Sequence, residues 1–166
     1  MKTIFTKDLP GKKIFVTREF AAPLEMTWTA WTDKDILDKW WAPKPWKAET
    51  KEMDFREGGR WLYCMVGPNG ERHWARADYM KIIPHKFFHG KDSFCDENGT
   101  VFPQPPGMDW DVEFGKTASG TKVTVEITFA SEKDLATIIE MGFEQGFTMA
   151  HGNLDEYFVA QTKTTH

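Results

Sequence analysis

"MDWDVEFGKTASGTKVTVEITF", residues 108–129, alternates apolar and polar side chains on either side of a Ser119-Gly120 turn. Trp110, Val112 and Phe114 alternate with Asp109, Asp111 and Glu113, and Val123, Val125, Ile127 and Phe129 repeat the pattern. A period of two puts each set on its own face, so an antiparallel pair with one wet and one dry face is expected. From Ser131 the period changes. Ser131-Glu-Lys-Asp134 resembles a capping box that opens a short helix running to about Met141. A longer helix then carries Phe143, Phe147, Ala150, His151, Leu154 and Phe158 on one side. A strongly curved sheet cannot fill its own concave face, and this amphipathic helix is the element available to close it. The expected class is α+β, with a tendency to leave a cavity between sheet and helix.

Upstream, "KIFVTREF" (13–20) reads as a strand with Ile14, Val16, Arg18 and Phe20 on one face. Pro23 stands where a helix can begin. Leu24, Thr27, Trp28 and Trp31 follow at helical spacing. Thr32-Asp-Lys-Asp35 resembles the cap of a second short helix, which carries Ile36, Leu37, Trp40 and Trp41 until Pro43 and Pro45 stop it. Trp40 and Trp41 are expected to be partly or wholly buried, at least one of them facing the space beneath the last helix. Strands follow at 46–55, around 60–66, at 72–83 and at 86–94. Turns fall at Gly58-Gly59, Pro68-Asn69-Gly70 and Asn98-Gly99, and 101–107 is a proline-rich loop. Gly146 and Gly152 lie inside the long helix at about 1 kcal/mol each relative to Ala. Either close approach to a neighbour or a simple packing need can explain them.

The 166 residues suit one domain, 1–166, large enough to build a core without disulfide staples. A net charge of −4 offers no basic field, so neither nucleic acid nor an anionic membrane is an expected partner. No leader or membrane-length apolar run is seen, and a cytoplasmic location follows by default. Cys64 and Cys95 read as reduced thiols, Cys64 as a buried inert one. His85 and His89 have the spacing of a helical zinc pair, but on a strand four residues span roughly 13 Å, so no metal is expected. Gly58-Gly59 joins two strands and does not open a helix, so it is no phosphate loop. No cofactor is expected.

"VTREFAAPLEMTWTAWTDKDILDKWWAP", "MDFREGGRWLYCMVGPNGER", "DYMKIIPHKFF" and "EMGFEQGFTMAHGNLDEYF" together, in this order, resemble the family homologous to the activator of the heat-shock-protein-90 ATPase. The resemblance runs from Lys13 to Gln161. It implies membership of the START-like superfamily, a helix-grip fold in which six to seven antiparallel strands wrap a long C-terminal helix, and a cavity that often holds an apolar molecule. Relatives that activate the chaperone carry a further N-terminal domain, for which this length leaves no room. A chaperone-regulating role therefore ranks below ligand binding.

The favoured function is non-covalent binding of a small, mainly apolar molecule by a monomer or homodimer. The walls expected for the pocket are Trp28, Trp40, Trp61, Trp74, Trp110, Phe143 and Phe147, with Arg76 and His151 as polar candidates. The same rings can also simply fill a core. Rival readings are a chaperone-interacting regulator and a cyclase- or hydrolase-type enzyme on a hydrophobic substrate, with a non-enzymatic role preferred. One ambiguity stays open. Trp74, Arg76 and Asp78 share one face of strand 72–83, Ala75, Ala77 and Tyr79 share the other, and either set can be concave.

Overall fold

The computed structural model describes residues 2–104 and 106–164. Its elements run β1 (Ile4–Asp8), β2 (Lys13–Phe20), α1 (Leu24–Thr32), α2 (Lys34–Trp40), β3 (Lys47–Met53), β4 (Arg60–Val66), β5 (Arg72–Ile83), β6 (Phe87–Cys95), β7 (Met108–Lys116), β8 (Thr121–Thr128), α3 (Glu132–Glu140) and α4 (Phe143–Thr164). The strands form one antiparallel sheet in the order β1-β2-β8-β7-β6-β5-β4-β3. It has eight strands, one more than the upper expectation. The addition is β1, an edge strand that pairs with β2 from Ile4↔Thr17 to Asp8↔Lys13. β1 also reaches the long helix, through an edge-on contact of Phe5 with Phe143 and an ion pair of Lys7 with Glu144.

The alternation of 108–129 sets the sheet's dry face. Trp110, Val112, Phe114, Val123, Val125 and Ile127 are all buried. The register Val16↔Val125↔Val112↔Phe88 carries that face across β2, β8, β7 and β6. On β5 the face is continued by Ala75, Ala77 and Tyr79, which pair with Phe94, Asp92 and Gly90. Trp74, Arg76 and Asp78 therefore point to the convex side, which resolves the ambiguity left by their spacing. α4 lies across the concave side, burying Phe147, Ala150, His151, Leu154 and Phe158. A single core thus joins the inner sheet face to α1, α2, α3 and α4.

Local chemistry explains the helix limits. Asp33 caps α2, its carboxylate accepting from the Asp35 and Ile36 amides at 2.9 and 3.2 Å. The cap thus falls one residue later than Thr32, whose hydroxyl instead donates back to the Trp28 carbonyl at the end of α1. Ser131 caps α3 by accepting from the Asp134 amide, at the expected position. At the other end of α2, Asn153 of α4 donates to the Trp40 and Ala42 carbonyls at 3.4 and 3.0 Å. A helix end leaves carbonyls without intrahelical partners, and here a buried amide from another helix serves them. His85, expected within a strand, lies in the β5–β6 turn at φ 65.

Neither glycine inside α4 is there for close approach. A Cβ at Gly152 would meet nothing within 4 Å, and one at Gly146 would sit 3.7 Å from Pro43, an ordinary contact. Gly152→Ala should therefore raise folding stability by about 1 kcal/mol, the helical penalty of glycine, as read from urea denaturation. A destabilised variant would mean that this backbone position is more constrained than its open surroundings imply.

Candidate functional site

A pocket of about 260 Å³ lies between the concave face and the α3–α4 junction. The sheet contributes Tyr63 and Met65 from β4, Ala75 from β5, Asp92 and Phe94 from β6, and Met108 and Trp110 from β7. Ile138, Met141, Gly142, Phe143 and Phe147 form the opposite wall, with Trp41 and Pro43 closing the side. The turn at Gly142, with φ 89, brings α3 and α4 together here.

The rings mostly meet edge to face, with Trp41 and Trp110 tilted at 47° to each other. Trp41 is 5.4 Å from Trp61, 6.0 Å from Trp110 and 6.0 Å from Phe147, centroid to centroid. Trp110 lies 6.2 Å from Phe143 and 5.7 Å from Phe147. These separations suit T-shaped aromatic packing. The Trp41 indole N–H donates to the Tyr63 hydroxyl at 3.0 Å, which orients both side chains. Burial pushes the Tyr63 phenol well above its ordinary range.

Of the residues expected from sequence, Trp110, Phe143 and Phe147 line this pocket. Trp61 stands behind the wall, stacked on Tyr63 at 4.0 Å, with its indole N–H donating to Thr50. Trp40 is fully buried, wedged between Trp31 and Trp41. Trp28 is buried at a different end of the core, against Phe55, Phe88 and Phe114. Trp74 lies on the convex face near Lys51 and Arg72. Arg76 is beside it, bound through two nitrogens to Asp78 and donating to the Gly99 carbonyl at 2.6 Å. That arrangement ties β5 to the 96–100 turn outside the pocket.

His151 is on the inner side of α4, as its spacing implies, but outside the pocket lining. Its Nδ1 is 2.9 Å from the Thr3 hydroxyl, and Phe20 and Phe147 pack on the ring. Nε2 is buried without a partner among the described residues. Burial, with the nearby Arg18 charge, drives its pKa from 6.5 down to about 3. The imidazole is thus neutral at neutral pH and belongs to the core.

Trp41 is the member of the Trp40–Trp41 pair that faces the space beneath the last helix, whereas Asp92 and Tyr63 were not expected there. Asp92 has the clearer sequence signal of these two, since it shares a period-two face with Phe88, Gly90 and Phe94. It is part-buried at the pocket wall, and desolvation, reinforced by Asp78, raises its pKa from 3.8 to about 8.

The two shifted groups have opposite signs. Asp92 holds a proton in the folded state that the unfolded chain has lost between about pH 4 and 8. Its contribution to stability is complete below that window and is lost as pH rises through it. His151 binds a proton later than the unfolded chain, so its contribution is complete above pH 6.5 and is lost as pH falls toward 3. From pH 6.5 to 8 the Asp92 contribution is being lost while that of His151 is already complete, so Asp92 should lower wild-type stability by up to ~1.4 kcal/mol per pH unit. Asp92→Asn should abolish that fall in urea titrations at pH 6.5 and 8. Parallel profiles of variant and wild type would show that Asp92 titrates as a solvated acid.

Comparison with known proteins follows the same architecture. Protein Ms6760 from Mycobacterium smegmatis superposes with a TM-score of 0.88 at 29% identity, covering 96% of this chain and 98% of that one. A solution structure from Arthrobacter aurescens gives 0.86 at 28% identity, with 92% and 88% covered. The AHSA1 protein from Silicibacter pomeroyi shares the fold, with a TM-score of 0.71 at 16% identity over 90% and 99%. No curated protein matches the chain. The family model described as Activator of Hsp90 ATPase homolog 1-like protein matches residues 21–159. With its eight-stranded sheet, its long closing helix and this match over most of its length, the chain belongs to that family.

Proposed function

We propose that the protein binds a small, mainly apolar molecule, without covalent chemistry, in the pocket between the sheet and the α3–α4 junction. The observation that carries this reading is the lining itself: Trp41, Phe94, Trp110, Phe143 and Phe147 surround a space that side chains leave unfilled. Apolar walls with a few placed polar groups are the ordinary composition of small-molecule sites. A volume of about 260 Å³ is at the small end for such sites and suits a one- or two-ring compound or a short alkyl chain.

The test is a titration with N-phenyl-1-naphthylamine, followed by its own emission and by tryptophan quenching. Trp41 and Trp110 line the space, so saturable quenching at one site per chain is expected. Ala75→Phe should abolish it by filling the pocket from the sheet side while the thermal transition is retained. Non-saturating quenching, or equal binding by the variant, would leave the rings as core and nothing more.

A further inference from the structure

Among the described residues, the pocket lining has one carboxyl group and no Lys, Arg or His. That group is Asp92, on the concave face of β6 opposite Ala77. Among the described residues no side chain or backbone group is hydrogen-bonded to it, unlike Asp78, which is paired with Arg76 on the other face of the sheet. A part-buried carboxyl group without a hydrogen-bond partner costs folding free energy. The rings around the same space, Trp41, Tyr63, Trp110, Phe143 and Phe147, make the rest of the lining mainly apolar.

We infer that the pocket selects an apolar molecule carrying one cationic amine, with the ammonium group at Asp92 and the hydrocarbon part against the aromatic wall. The inference rests on the binding function proposed above and names the chemistry of the ligand. An ammonium entering the pocket loses its hydration, which costs several kcal/mol unless a counter-charge is at hand. Asp92 supplies that counter-charge. The titratable groups around Asp92 are the Tyr63 and Tyr79 phenols, both pushed upward by burial, and Asp78 across β5. None of these supplies a positive charge that would compete for the carboxylate. An amine arriving as a cation would convert Asp92 from its neutral form to the ionised one, so binding near pH 7 would release a proton to the buffer.

The experiment compares octylamine, 1-octanol and 2-octanone by calorimetry and tryptophan quenching, with wild type, Asp92→Asn and Asp92→Leu. The proposal expects wild type to bind the amine about tenfold or more tightly than either neutral compound. Amine binding in buffers of different ionisation enthalpy should show proton release. Both variants should lose the preference while holding the alcohol within about threefold, since the alkyl contacts are untouched. Because no protein group depends on Asp92 for a hydrogen bond, both variants should fold, and the wild-type ranking is informative without them. Equal binding of all three compounds, a preference for the ketone, or an amine preference that survives Asp92→Leu would overturn the inference while leaving the pocket as a binding site. Failure of all three compounds, together with failure of N-phenyl-1-naphthylamine, would overturn the binding function itself.

Discussion

Trp40→Ala should lower folding stability by about 3–5 kcal/mol in chemical denaturation, as expected for loss of a large aromatic ring from a packed core. Trp40 is 0% exposed. Its ring sits edge-on to Trp31 and Trp41 at 5.0 and 5.2 Å, and its indole N–H donates to the Ala30 carbonyl at 2.9 Å. The loss would also disturb Trp41, which lines the pocket. A cost below ~0.5 kcal/mol, the range of surface substitutions, would contradict this packing. The cluster also explains why bulky rings stand where regular structure stops. α2 ends at Trp40, and Pro43 turns the chain toward β3 while facing the pocket. The end of the helix is thus fastened to the core by its rings and by Asn153.

The second large effect concerns the one arginine on the concave face of β2. Arg18 is 4% exposed and forms an ion pair with Asp155 of α4, while its guanidinium lies 4.8 Å over the Phe20 ring. Asp155→Ala would leave a buried cation without its counter-charge. The expected loss is about 3 kcal/mol, at the low end for breaking a buried pair because the Asp155 side chain stays 42% exposed. Arg18→Met in the same background should recover much of it, since an apolar chain of similar reach needs no partner. Equal stability of Asp155→Ala and wild type would show that water already solvates the guanidinium.

The architecture was legible because its two periodicities are clean. Residues 108–129 alternate without interruption, and Phe143, Phe147, Leu154 and Phe158 keep helical spacing despite two glycines. β1 was not legible. Its residues Ile4–Asp8 are mostly exposed, so no dry face marks them, and only pairing with β2 makes them a strand. Strand 72–83 failed differently, because both of its faces carry apolar atoms. Trp74 and Arg76 cover the convex surface with long side chains. The small Ala75 and Ala77 face inward, where Tyr63 and Phe94 crowd the neighbouring strands. That exchange of large for small is what separates the expected pocket residues on β5 from the observed lining. Trp110, Phe143 and Phe147 could be placed by period alone. Trp41 could be placed only as one of the Trp40–Trp41 pair, and Tyr63 not at all, since their positions depend on how a helix end meets β4. Asp92 carried a readable signal, a carboxyl in an otherwise apolar period-two set, which acquires meaning only when the opposite wall is known.

The central claim is that the space beside the α3–α4 junction takes up an apolar molecule. Methionines make this directly measurable, because Met65, Met108 and Met141 line the pocket whereas Met80 and Met149 are exposed elsewhere. With ¹³C-methyl-labelled methionine, a titration with N-phenyl-1-naphthylamine should shift the Met65, Met108 and Met141 methyl resonances along one saturable isotherm and leave Met80 and Met149 in place. Unmoved pocket methyls, or small shifts spread over all the methionines without saturation, would contradict it.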